Sequence, residues 1–219
     1  AVKAGEKFFK TFPLKKEEID FVIFNSSFFD YKFPASACII HKELGLLPEC
    51  GGADLSHGCS AYPYAVQMAR GLVEMEGLKN VLILTSYTLT KDIHPKDKAS
   101  RFLFGDGAAA SLVQASPKSG IYKCHFGTES RGWNKIIKLD GNERHPISDA
   151  SLIEHSDEYG NTTTNEKMFM DGTSVFLFAI RRVPEFVHQL LKKNRMSLND
   201  IDLFVFHQAN LFMIDVIVE

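Results

Sequence analysis

The 219-residue sequence lacks the markers that place a chain at once. Its four cysteines, Cys38, Cys50, Cys59 and Cys124, form no Cys-x-x-Cys pair. That spacing argues against a disulfide framework or a zinc finger and reads as reduced, intracellular thiols. No apolar run reaches the roughly 18 residues of a membrane-spanning helix. The first residues, Ala1-Val2-Lys3-Ala4-Gly5-Glu6-Lys7, have none of the apolar core of a signal peptide. Lysine and arginine total 25 against 27 acidic residues, with no block of like charge, so the footprint of a nucleic-acid binder is missing too. The first residues read as if already inside a helix, and Asp215-Val216-Ile217-Val218-Glu219 carries no capping signal. An internal piece of a longer chain is the expectation.

What is present is ordinary globular material: 45% hydrophobic and 24% charged residues. A chain of this length can bury about 70–75% of its unfolded surface. Short β-branched and aromatic runs predict buried strands at 19–24, 53–56, 81–85, 108–113 and 201–206. Helical periodicity predicts helices at 35–45, 61–76 and 173–194, with Pro184 expected to kink or divide the last. Strands alternating with helices indicate an α/β layered fold. Residues 14–25 and 198–207 follow the same pattern, an acidic loop, Ile-Asp and a strand, which would be met in two similar halves. Asn25 and His207 then end equivalent strands. Chance αβ chemistry explains the match equally well. The stretch 115–170 is irregular and glycine-rich, as in a connection that lines a site or forms a loop.

Two residues invite chemistry. Cys59 follows a short strand and the turn His57-Gly58, and precedes a helix with Pro63 in its opening turn. A sulfur at a helix N-terminus faces unpaired amides and the positive end of the macrodipole, which lowers a thiol pKa and makes a nucleophile. The same context also suits a small buried hydrophobe. His207 ends the predicted strand 201–206, at the mouth where α/β sheets bind ligands. A histidine there can donate to an oxyanion, or simply be satisfied by backbone. Cys50, His57 and Cys59 lack the spacing of a metal site, and Gly105-Asp106-Gly107 lacks a Walker lysine.

Several segments together resemble a known family. His57-Gly58-Cys59-Ser60-Ala61-Tyr62-Pro63-Tyr64-Ala65 is similar to the nucleophile elbow of 3-oxoacyl-acyl-carrier-protein synthase III, the initiating ketosynthase of the thiolase superfamily. Phe33-Pro34-Ala35-Ser36-Ala37-Cys38, Phe104-Gly105-Asp106-Gly107-Ala108 and His207-Gln208-Ala209-Asn210 agree in order and approximate spacing. Met170-Asp171-Gly172-Thr173-Ser174-Val175-Phe176 resembles the entry to the second half. The resemblance implies an α/β thiolase-like fold of two similar halves. Residues 1–115 would belong to the half with the nucleophile, 116–169 to an elaborated connection, and 170–219 to the start of the half with the catalytic histidine.

It further implies a cytoplasmic homodimeric acyltransferase with no tightly bound cofactor. Acyl-CoA would acylate Cys59, and a malonyl thioester would then condense by losing carbon dioxide, with His207 stabilising the enolate. Phe33 would close the primer pocket across a dimer and Phe104 would lie beside the acyl group; both also suit plain core positions. The family's CoA-binding arginine falls at Lys98, with Arg101 close by, and lysine is a point charge without the guanidinium stacking plane. Its catalytic asparagine belongs beyond Glu219; Asn210 is not its counterpart. Two basic positions that dock an acyl carrier protein read Phe212 and Leu177, which weakens an acidic carrier as partner. His57 replaces a small residue and would fill space or tune the thiolate. An acyltransferase or CoA-only synthase of the same fold, or a non-catalytic partner subunit, are the alternatives.

Overall fold

The computed structural model describes residues 1–118 and 120–218, and these fall into two compact units. The first comprises residues 1–88 and 106–122. Its frame is a four-stranded sheet ordered β2-β1-β3-β4, from β1 (Phe21–Asn25), β2 (Gly51–Leu55), β3 (Asn80–Thr88) and β4 (Asp106–Gln114). β1 runs parallel to both β2 and β3, with Phe24 opposite Asp54 and Leu84; β4 closes the edge antiparallel to β3.

Strand side chains alternate between faces, and here each face meets its own helices. Val22, Phe24, Leu82 and Leu84 pack with Ala37, Ile40 and Leu44 of α2 (Ser36–Leu44) and with Val2, Phe8 and Phe9 of α1 (Val2–Thr11). Ile23, Val81 and Ile83 face Ala65 and Ala69 of α3 (Ala61–Glu76) on the other side. The small alanines let α3 lie close to the sheet, and six of these seven strand residues are at most 1% exposed. The apolar runs at 19–24 and 81–85 are thus strands covered on both faces, whereas 108–113, expected to be buried, lies in the edge strand β4 with Ala108 and Ala109 exposed. The carboxylate of Asp20, just before β1, accepts from the backbone amides of Lys79 and Asn80 at 2.7 and 2.8 Å, which sets the entry to β3.

The second unit comprises residues 89–105 and 123–218 among those described. It contains the short helix α4 (Lys98–Arg101), β5 (Ile136–Lys138), β6 (His155–Ser156), β7 (Thr162–Thr163), β8 (Met168–Met170), α5 (Gly172–Asn194) and α6 (Leu211–Val218). β5 pairs with β8 and β6 with β7, both antiparallel, so the irregular stretch carries two small ladders. Asp171 caps α5, accepting from the Ser174 amide at 3.0 Å and its hydroxyl at 2.7 Å, while Lys135 donates to it at 3.0 Å. These donors hold its carboxyl at about 2, below the usual range.

α5 runs through Pro184 undivided, which leaves of the two expectations there the kink and not the break. The strand expected at 201–206 is corrected. Residues 201–206 form no strand, because extended backbone becomes a strand only by pairing with a neighbour and none of the described residues supplies a ladder; Leu203 and Val205 are 75% and 80% exposed. No helix among the described residues is long and apolar enough to cross a membrane.

Candidate active site

β2 ends at Leu55, and the chain turns through Ser56 and His57 into a short 3-10 turn, Gly58–Ser60, that leads directly into α3. Gly58 has φ +55°, the left-handed region where a Cβ is strained although nothing crowds the position. This backbone makes the elbow sharp. Cys59 stands at its tip, exposed, so the buried-hydrophobe reading fails. The N-terminus of α3 lies just beyond: Ser60 makes no side-chain capping bond, Pro63 brings no N–H and the Ala61 amide is bonded to the Gly58 carbonyl, so Cys59 stands one residue before the cap of this 16-residue helix. His57 is also exposed and lies against Tyr64, ring centroids 4.4 Å apart, so it fills no buried space.

The other strand ends surround this elbow. Buried Asn25 closes β1, and its amide donates to Thr85 Oγ1 at 3.3 Å. Tyr87 Oη lies 2.9 Å from the carbonyl oxygen of Gly58 and 3.1 Å from Asn25 Oδ1. Burial, with the neighbouring Cys59 thiolate as a smaller contribution, pushes the Tyr87 phenol pKa up from its ordinary value, against a hydrogen bond with Ser27 that lowers it. The phenol therefore keeps its proton. Tyr87 was not singled out from sequence; a polar-tipped aromatic continuing the β-branched run 81–85 was the available signal.

Phe33 is 80% exposed on the loop between β1 and α2, with Lys32 Nζ 5.9 Å from its ring centroid. It is no core aromatic. The loop is anchored at its far end by Asp54 of β2, whose two carboxylate oxygens accept from the Ser36 and Ala37 amides at 2.7 Å each. Asp54 thereby caps α2 from a neighbouring strand, since Ala35 at the cap position has no side chain able to do so. A lone acid inside an apolar strand was the sequence signal for it.

The remaining candidates lie in the second unit. Lys98 opens α4 and is exposed; Asp97 caps that turn through the Ala99 and Ser100 amides. Arg101 spends its Nη1 on the Pro95 carbonyl at 2.7 Å. Phe104 is half-buried, its amide bonded to Ser100 O, so it and Lys98 share one segment. His207 is exposed on an irregular stretch rather than at a strand end, and the Ala209 amide donates to its carbonyl at 3.1 Å. Asn210 Oδ1 accepts from the Met213 amide at 2.7 Å, so it serves as the start of α6. Phe212 stacks on Phe176 at 5.5 Å, and Leu177 is 56% exposed. Leu177 lines a cleft of about 870 Å³, where Arg131, Lys135 and Arg181 outnumber Glu129. Among the described residues no three His, Cys, Asp or Glu side chains gather as a metal site would require.

The other thiols contrast with Cys59. Burial, helped by the Asp20 carboxylate, pushes the Cys50 pKa up to about 11. At pH 8 only about one Cys50 in a thousand is a thiolate, the form that alkylates. Burial raises Cys124 as well. Iodoacetamide at pH 8 should therefore label exposed Cys59 and Cys38 while Cys50 stays unmodified, as read by peptide mass mapping. Raising the pH towards 11 should bring Cys50 in; labelling of Cys50 at pH 8 at the rate of Cys59 would contradict this.

This sheet and its strand-to-helix elbow superimpose on solved structures of the thiolase-like class of α/β proteins. Residues 53–130 match the family described as 3-oxoacyl-[acyl-carrier-protein (ACP)] synthase III. A beta-ketoacyl-[acyl-carrier-protein] synthase III of Caldanaerobacter subterraneus subsp. tengcongensis is 32% identical over 216 residues, 98% of this chain and 62% of that protein. A crystal structure of a 3-oxoacyl-(acyl-carrier-protein) synthase III superimposes with a TM-score of 0.94 at 39% identity, covering 99% of this chain and 65% of the other. The priming beta-ketosynthase of a polyketide biosynthetic pathway gives 0.80 at 28% identity, covering 99% and 61%. Over nearly its whole length the chain is similar to proteins of the 3-oxoacyl-acyl-carrier-protein synthase III family, and it spans somewhat under two thirds of the length of these relatives.

Proposed function

We propose that this protein is a condensing enzyme that takes an acyl group from acyl-CoA onto Cys59 and joins it to a malonyl thioester. The observation that carries the reading is the exposed Cys59 on the left-handed Gly58 elbow, one residue before the cap of α3 and within the family match. The thiolate attacks the thioester carbonyl, the tetrahedral adduct collapses, and the CoA thiolate leaves. The malonyl thioester then breaks its bond to carbon dioxide, and the electron pair becomes an enolate that His207 stabilises by donating a hydrogen bond. The enolate carbon attacks the acyl-enzyme carbonyl and expels Cys59. Phe33 and Phe104 bound the acyl group, and Lys98 meets the CoA phosphates.

The two halves are residues 1–115 and 170–219, joined by 116–169. The protein works in the cytoplasm as a homodimer, with Phe33 reaching the partner's pocket. Arg181 on the 870 Å³ cleft, where Arg131 and Lys135 are paired with Glu129 and Asp171, supports an acidic carrier protein as the malonyl donor. Exposed Leu177 and Phe212, where the family's docking positions are basic, favour a second reading in which that donor is malonyl-CoA.

Intact-protein mass spectrometry after incubation with a panel of acyl-CoAs tests the first step. An acyl adduct on the peptide carrying Cys59, absent in Cys59→Ala, is expected; no adduct with any chain length overturns the reading. Carbon dioxide release from malonyl carrier protein against malonyl-CoA then chooses between the two donors.

A further inference from the structure

Tyr87 lies at the catalytic elbow, and none of the steps above uses it. β1 ends at Asn25, opposite Thr85, so Ser86, Tyr87 and Thr88 extend past it and pair only with β4. Alternation along β3 puts Tyr87 on the same face as Val81 and Ile83, the α3 side. Its ring packs edge-on against Phe28, centroids 6.0 Å apart at 76°. Its hydroxyl thereby reaches the Gly58 carbonyl oxygen at 2.9 Å, an oxygen that also accepts the Ala61 amide.

The Gly58 carbonyl and the Cys59 amide belong to one planar peptide unit, with C=O and N–H pointing opposite ways. A donor that holds the carbonyl also aims the Cys59 N–H. Left-handed Gly58 has no Cβ, and no atom lies within 4 Å of where one would be, so the plane is held through its carbonyl, by the Ala61 amide and the Tyr87 hydroxyl. Resting on the reading of Cys59 as the acyl acceptor, we infer that Tyr87 is a positioning residue: its hydroxyl pins the Gly58–Cys59 peptide plane so that sulfur and amide present one fixed geometry to the thioester. The phenol has one proton, and of its two acceptors the Gly58 carbonyl at 2.9 Å is nearer than Asn25 Oδ1 at 3.1 Å.

Tyr87→Phe tests this, since it keeps the ring on Phe28 and removes only the hydroxyl. Per Cys59 thiol titrated with iodoacetamide, acyl transfer should fall about tenfold to a hundredfold in kcat with KM within about twofold. Alkylation itself should stay within about threefold, since the thiol remains exposed. Hydrogen exchange of the peptide spanning residues 56–62 should quicken about fivefold or more with the rest of the chain unchanged. Unchanged acylation in a wild type that acylates overturns the inference and leaves the function standing. A wild type that takes no acyl group overturns the function alone. Exchange then decides for Tyr87: faster in Tyr87→Phe supports its role in holding the elbow, and equal rates overturn it.

Discussion

His207→Ala should leave Cys59 able to take an acyl group, within a few-fold of wild type, while condensation falls about a hundredfold to a thousandfold. Cys59→Ala should abolish both. The asymmetry follows from the two kinds of work. Acyl transfer from a thioester needs a thiolate, and the elbow supplies its setting from local structure: the adjoining α3 N-terminus, the exposed sulfur and the sharp Gly58 turn. Decarboxylation instead needs a donor for the enolate oxygen, a charge that does not exist until carbon dioxide departs. Removing one such donor typically costs about 3–4 kcal/mol of transition-state stabilisation and little ground-state binding. Single-turnover acylation followed by mass spectrometry reads the first step, and labelled carbon dioxide from the malonyl carboxyl reads the second. Equal loss of both steps in His207→Ala would mean that the histidine acts on the thiol, and the assigned division of labour would be wrong.

The sequence was most legible where one physical rule acted alone. The helix predicted at 61–76 has those bounds in the structure, because apolar periodicity, an opening proline and Gly77 after the last turn all agree. β1 and β3 were legible because strands covered on both faces must be apolar throughout. Residues 201–206 carry the same kind of run and form no strand, since a run states what a segment could pair as, and the ladder is made by residues far away in the chain. The place of Cys59, on a turn between strand and helix, could be read from the residues around it. Tyr87 and Asp54 could not be assigned roles, because both act across the sheet, on Gly58 from two strands over and on an α2 terminus 17 residues back. Local patterns report what a residue does to its own element, and these two side chains act on another. Leu177 read as a lost charge; Arg181, one turn on along α5, lines the same cleft, while Arg131 there is paired with Glu129.

Asp54→Ala should be among the most destabilising single changes outside the apolar core. Both of its oxygens are committed, to the Ser36 and Ala37 amides at 2.7 Å each. Those residues are 5% and 0% exposed, so water does not replace the lost acceptors. Each buried N–H left without a partner costs about 1–3 kcal/mol, and Ala35 offers no side chain in exchange. The sum is about 2–6 kcal/mol, or a Tm lower by roughly 4–24 °C for a chain of this size. Asp54→Asn keeps one acceptor oxygen and should lose about half as much. The damage should also have an address. With the start of α2 released, the loop carrying exposed Phe33 loses its fixed end, so limited proteolysis between residues 27 and 35 should quicken before any other site. The primer pocket that Phe33 is proposed to close would then loosen without any change at Cys59, raising the KM for acyl-CoA more than it lowers kcat. A Tm within about 2 °C of wild type, or cleavage that starts elsewhere, would show that α2 holds itself in place and that Asp54 is not its cap.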